Sequence, residues 1–316
     1  MRQVSACRMP PVVFSIPYVE ALRGVLLSIS DTPSVDRVVA GERTLTETEI
    51  ARLAASLRVR GNAPVTPRVL MTRMGRPVLE AVTTPRLDAR VQEGSETPAC
   101  LEAVGHALAV LHATTPANLP LVKVESPPWE ALSAPFWMGL SRVQRRMVGM
   151  LHTHRELRQE GRRVRDQLAA GQTWCHGDAR TNNICVLPSG TPVFIDWEAS
   201  GTGRPEADLG LLCSSLITDS LVAAKAPRGP QAHMALSRGM NRAAVLTREA
   251  LSGYRGAGGH VLDAELLARA VGCGLLARVF MRVSVTQWDR IAETLYQIGS
   301  RLLLEPSRWR AIDACG

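Results

Sequence analysis

Lysine is nearly absent from this chain. Only Lys123 and Lys225 occur among 316 residues, so nothing built from the first 122 positions has an ammonium group on a lysine side chain. The 37 Lys and Arg residues are therefore almost all arginine, and the formal charge of +8 is an arginine charge. A GC-rich coding sequence produces that bias by itself. No nucleic-acid recognition motif accompanies the charge, so a nucleic-acid partner is disfavoured.

Long apolar runs are also missing. No uncharged apolar stretch reaches the roughly 18 residues that a membrane-spanning helix needs, and the short apolar run near the N-terminus is broken by prolines. No membrane partner is expected. The seven cysteines, Cys7, Cys100, Cys175, Cys185, Cys213, Cys273 and Cys315, are odd in number and scattered. Without a C-x-x-C pair they argue against a disulfide framework or a zinc site, and they point to a reducing cytoplasm. Hydrophobic residues at 46% and charged residues at 21% belong to a folded globular protein, not a disordered one.

What is present reads as one large or two modest domains. Apolar positions at three- and four-residue spacing predict a helix over 17–30. Residues 35–45 read as a hairpin turning at Gly41 and Glu42. Thr46 then caps a helix predicted over 47–60, with Ile50, Leu53 and Leu57 on one face and Gly61 as its stop. A second hairpin is expected over 67–84, around Met74, Gly75 and Arg76. The polar stretch 85–97 reads as a linker, which divides the chain into a small unit, 1–86, and a larger one, 87–316. The larger unit opens with a helix over 100–116, bearing Leu101, Val104, Leu108 and Leu111. A proline-broken loop follows at 120–135, then an arginine-rich helix over 141–168. Beyond Asp208 the chain reads as helices, with flexible patches at 225–229 and 256–259.

The specific chemistry lies in residues 174–210, WCHGDARTNNICVLPSGTPVFIDWEASGTGRPEADLG. A loop carries His176, Gly177 and Asp178 to Asn183. A strand, a turn at 188–190 and a return strand then deliver Asp196. This hairpin brings Asp178, Asn183 and Asp196 towards one place. Phosphoryl transfer needs such a set: a carboxylate to orient the attacking hydroxyl and accept its proton, and oxygen ligands for magnesium on the nucleotide phosphates.

The window resembles the aminoglycoside phosphotransferase and choline kinase family, relatives of the protein kinases. That family shows H-G-D-x-x-x-x-N, then a hydrophobic residue with D-W-E, then a G-x-P-x-x-D-L segment. The matching residues here are His176-Gly177-Asp178, Asn183, Ile195-Asp196-Trp197-Glu198, and Gly203 to Leu209. The resemblance implies an α/β (α+β), two-lobed protein-kinase-like fold, with a small, reduced, β-containing N-lobe and a larger, mostly helical C-lobe. It implies ATP and Mg2+ as cofactors and a hydroxyl as acceptor. His176, Asp178 and Arg180 become the catalytic set: Asp178 orients the hydroxyl, Arg180 neutralises the transferring phosphate, and His176 organises the loop. Asn183 and Asp196 become the metal ligands, and Asp208 an anchor for the loop.

The pattern departs from the family in the N-lobe, where protein kinases pair a strand lysine with a helix glutamate. Here Arg37 or Arg43 stands in, with Glu47 or Glu49 as its partner, and Arg43 with Glu49 is taken as the cofactor-binding pair. The acceptor is a hydroxyl-bearing small molecule or a Ser or Thr of a ribosomally made precursor peptide, whose acidic leader the arginine-rich helix would hold. Net positive charge disfavours a polycationic aminoglycoside. The alternative is a pseudokinase or scaffold that binds a peptide and a partner enzyme.

Overall fold

A computed structural model describes residues 44–59, 62–225 and 231–309. The helix expected over 17–30, nearly all of the hairpin at 35–45, Arg37, Arg43 and most of the patch at 225–229 lie outside the described residues.

The first described helix, α1 (Glu47–Ser56), starts at a reciprocal cap. Thr46 Oγ1 accepts from the Glu49 backbone N–H, and the Glu49 carboxylate accepts from Thr46 N at 2.8 Å. The helix stops at Ser56, four residues short of the expected end, because the chain pairs with itself instead: Val65 N–H donates to Leu57 O and Val59 N–H to Ala63 O. Its buried face is Thr48, Ile50, Ala51 and Ala54, while Leu53 is exposed, so the expected apolar stripe is rotated.

The hairpin β1 (Val69–Arg73) and β2 (Arg76–Leu79) is antiparallel and turns at Met74 and Gly75, both at positive φ, as a tight two-residue turn requires. The stretch expected to be a linker contains a helix, α2 (Leu87–Glu93). Leu87 and Val91 lie one turn apart and are both fully buried, so local polarity around them was outweighed by two anchors.

Helix α3 (Pro98–His112) is capped by Thr97. After the proline-broken loop come a short α4 (Ala134–Gly139), α5 (Arg142–Thr153) and α6 (Arg155–Ala169). The single helix expected over 141–168 is thus two, broken at His154, whose ring Nδ1 accepts from Leu157 N–H to cap α6.

Two small antiparallel pairs follow. β3 (Thr173–Cys175) joins β6 (Gly201–Gly203), and β4 (Ile184–Val186) joins β5 (Pro192–Phe194). Helices α7 (Pro205–Ala223), α8 (Gln231–Gly256), α9 (Ala264–Val285) and α10 (Arg290–Leu304) follow. Helix α7 is buried along nearly its whole length and on every side, so it forms the axis of the helical half. Five described cysteines are buried thiols, and no described helix is long and apolar enough to cross a membrane.

Candidate active site

The loop between β3 and β4 carries His176, Asp178, Arg180 and Asn183. It is pinned from below by Asp208, in the first turn of α7. Asp208 Oδ2 accepts from His176 N–H at 2.7 Å, and Oδ1 from Gly177 N–H at 2.8 Å. His112 Nε2 lies 3.0 Å from the same carboxylate, and its Nδ1 lies 3.0 Å from the Tyr254 hydroxyl. Gly177 is the residue this turn demands: its φ is +79°, and a Cβ there would stand 2.2 Å from Ala199 O. His112, Cys175 and Asp208 come together as a set of possible metal donors. However, both ring nitrogens of His112 and both Asp208 oxygens already have partners, so the group is an anchor for the loop.

His176 is fully buried with both ring nitrogens engaged by the backbone. Nε2 meets Ile195 O at 3.1 Å and so carries the proton, while Nδ1 accepts from Asp178 N–H at 3.2 Å. Only the neutral ring satisfies both. Burial holds the imidazole below its ordinary pKa, against the opposing pull of Asp208, Asp178 and Asp196. With neither nitrogen open, His176 shapes the loop.

Asp178 lies in the buried floor of the site. Its Oδ2 accepts from Asn183 Nδ2 at 2.5 Å and from Arg180 Nη2 at 2.9 Å, and its Oδ1 pairs with Arg180 Nε. Arg180 also lies 3.7 Å from Glu125. Burial opposes the Arg180 charge, but Asp178 and Glu125 outweigh it and hold the guanidinium above its ordinary pKa. The cation expected to face a phosphate is thus turned onto the loop's own carboxylate.

Asp196 leaves the end of β5 at φ +69°, a conformation more open to aspartate than to most residues. Ile195 N–H donates to Asn183 O at 3.0 Å, so the strand that delivers Asp196 is tied to the loop that carries Asn183. The Asn183 amide nitrogen is spent on Asp178, so of its side-chain polar atoms the carbonyl oxygen is the one that could serve a ligand. Two further carboxylates belong to the same neighbourhood. Burial, and then Glu198 and Asp196, raise the pKa of Glu47, while Arg76 and Lys123 pull the other way. Arg76 lies 3.9 Å from Glu198. An amide oxygen beside this concentration of carboxylates is a donor set of hard oxygens, and it fits a magnesium ion.

The N-lobe pair expected from the sequence is placed differently. Glu49 is half-buried and takes part in the Thr46 cap, and Arg43 lies outside the described residues. The helix glutamate that senses Asp196 is Glu47. The sequence already held a signal for this, since T-x-x-E at 46–49 is a capping box that claims Glu49. Glu125 and Arg76 gave no such signal, one in a proline-rich loop and the other in a hairpin turn.

Residues 36–244 match a family described as the phosphotransferase enzyme family. The chain belongs to that family. No curated protein matches it. Among solved structures, a choline/ethanolamine kinase family protein from Mesorhizobium loti is 17% identical, with 94% of this chain and 98% of that one aligned at a TM-score of 0.45. A glucosamine kinase is 15% identical, with 91% and 84% aligned at a TM-score of 0.49. The spectinomycin phosphotransferase solved with ADP and spectinomycin is 11% identical, with 92% and 82% aligned at 0.41. As the resemblance implied, this phosphotransferase has a kinase-like, two-lobed architecture, with a small β-containing part and a larger helical one.

Proposed function

We propose that this phosphotransferase transfers the γ-phosphoryl group of ATP to an alcohol hydroxyl of a small molecule. The observation that carries the reading is the double engagement of Asn183. Its side-chain nitrogen reaches Asp178 while its backbone oxygen holds the strand that delivers Asp196. One residue thereby couples the group that meets the acceptor to the group that meets the metal.

Asn183 and Asp196 would hold the ion, and Mg2+ supplies charge neutralisation on the phosphates when bound. Asp178 orients the acceptor hydroxyl. The hydroxyl oxygen forms the new bond to the γ-phosphorus, the bond from that phosphorus to the bridging oxygen breaks, and ADP leaves with the electron pair. The hydroxyl proton passes to Asp178. Arg180 and Asn183 hold the carboxylate in one orientation, so Asp178 contributes chiefly by alignment, which suits a loose transition state that needs little base strength.

A precursor peptide is less well supported than a small molecule. Arg162 and Arg165 pair with Glu130, Arg163 with Glu160, and Arg145 donates to Leu140 O and Met138 O. Half of the arginines that would hold an acidic leader are therefore engaged within the fold. Consumption of Mg-ATP by the purified chain tests the reading. Turnover abolished by Asp178→Asn and by Asp196→Asn supports it, and turnover equal to background in the wild type, with no nucleotide binding, favours a scaffold.

A further inference from the structure

Arg278 lies on α9, which packs along α7. Its register against α7 is set by two close approaches. A Cβ on Gly210 would fall 2.6 Å from Ala270 Cβ, and one on Gly274 would fall 2.4 Å from Ser214 Oγ. From 210 to 214 and from 270 to 274 both helices advance by the same turn, so they run side by side in the same direction. Asp219, one turn further along α7, and Arg278, one turn further along α9, are close enough for each charge to act on the other. Asp219 Oδ2 accepts from the Thr181 hydroxyl at 2.6 Å, which places Arg278 next to the loop of Asp178.

Arg278 is half-buried as a residue, but its Nε and Nη2 atoms are closed off from water and have no hydrogen-bond partner among the described residues. The carboxylates near it are engaged elsewhere. Asp178 is held by Arg180 and Asn183, Glu125 by Arg180, and Asp219 by Thr181 and by Gln92 at 3.3 Å. Burial and then Arg180 push the guanidinium below its ordinary pKa, with Asp219, Glu125 and Asp178 acting the other way. Nε and Nη2 form one edge of the guanidinium plane, the edge that grips an oxyanion with two parallel hydrogen bonds. A charged donor pair left unmet inside a protein is costly, and a ligand that fills it removes the cost.

We infer that Arg278 is the anion-recognising residue of the acceptor site, and that the molecule phosphorylated in front of Asp178 carries a carboxylate or another oxyanion close to its reacting hydroxyl. The inference rests on the phosphotransferase reading above and narrows it. It makes hydroxy acids and phosphorylated alcohols the substrate class, and neutral or polycationic alcohols poor acceptors. Arg180, already bound to two carboxylates, positions Asp178 and leaves the oxyanion to Arg278.

The test uses the full chain with magnesium and a non-hydrolysable ATP analogue, and reads the melting temperature against sulfate, glycerate, glycerol 3-phosphate and glycerol. The expected result is a rise with sulfate and with at least one of the two anionic alcohols, and none with glycerol. That rise should vanish in Arg278→Gln, while the rise caused by the nucleotide analogue stays. Glycerate alone or glycerol 3-phosphate alone identifies the carboxylate or the phosphate as the group recognised. Equal responses of wild type and Arg278→Gln to every anion, including no response in either, overturn the inference. If Arg278→Gln does not fold, Arg278→Met serves in its place, and competition between sulfate and the anionic alcohols on the wild type reports the shared site. Absence of any nucleotide effect in the wild type counts against the phosphotransferase reading and leaves the anion comparison intact.

Discussion

Arg180 clasps Asp178 from both sides of its carboxylate, Nη2 on Oδ2 at 2.9 Å and Nε on Oδ1. The two residues are separated by Ala179 alone, and both are buried. The pair fixes the rotamer of the carboxylate proposed to meet the acceptor, and it compensates a charge that the interior would otherwise expel.

Arg180→Met should therefore destabilise the fold by about 3–5 kcal/mol, since Asp178 and Glu125 both lose their cation in a buried setting. Adding Glu125→Gln should restore part of that loss. Denaturant unfolding of the single and double variants measures it, and a single variant as stable as the wild type would show that the clasp is incidental.

Asp208 should contribute to stability and to activity through the same three contacts. Asp208→Ala leaves two buried backbone N–H groups without their acceptor, at about 1–3 kcal/mol each, and removes the partner of His112 Nε2. The loop would also lose its shape. We expect a lower melting temperature together with a fall in kcat, with KM for ATP little changed. A fall in stability alone, at unchanged kcat, would make the anchor irrelevant to the loop.

Asn183→Ala and Asp196→Asn each remove an oxygen ligand from the proposed ion. Magnesium titrations of ATP turnover should need a higher ion concentration for half-maximal rate in Asn183→Ala. Asp196→Asn, which also removes a charge, should show the larger deficit. Unchanged magnesium dependence in both variants argues against this ligand set.

His176 gives the fold a dependence on acid. Its folded pKa lies below the ordinary 6.5, because burial opposes the charged ring and Nδ1 must stay an acceptor. The unfolded chain takes up a proton at a pH where the folded one does not, so the stabilisation is complete above the ordinary value and is lost as pH falls through it towards the folded one. Between pH 7 and about 5 the melting temperature of the wild type should drop more steeply than that of His176→Gln. Parallel slopes would mean that the ring takes up a proton as readily in the folded protein as in the unfolded chain, against the burial argument.

Much of the site was legible in the sequence because it is local. The hairpin that carries Asn183 to Asp196, the glycine at 177 and the aspartate opening α7 lie within one short window, and each has a residue type fitted to its turn, strand or cap. The turn at Met74 and Gly75 was legible for the same reason. What periodicity does not encode is which distant chain packs behind the window. Glu125 reaches Arg180 from a loop that shows only prolines, His112 meets Asp208 and is itself met by Tyr254 from a second helix, both helices reading as ordinary core, and Arg278 lies in a helix whose apolar pattern gives no hint of a buried charge. The end of α1 at Ser56 was missed because the backbone of Leu57 and Val59 pairs with residues beyond the turn, a preference that helix propensity does not include. The helix within 85–97 was missed because two buried side chains, Leu87 and Val91, decide its fate in otherwise polar company.

The central claim is that Asp178, Asn183 and Asp196 act together on a nucleotide phosphate and an alcohol. Following ATP by phosphorus NMR with the full chain, magnesium and a panel of anionic alcohols tests it most directly. The account predicts that the γ resonance is replaced by that of a phosphate ester, at a rate that falls by about 100-fold or more in Asp178→Asn while the variant still binds nucleotide. An ester formed equally fast by wild type and Asp178→Asn would contradict it.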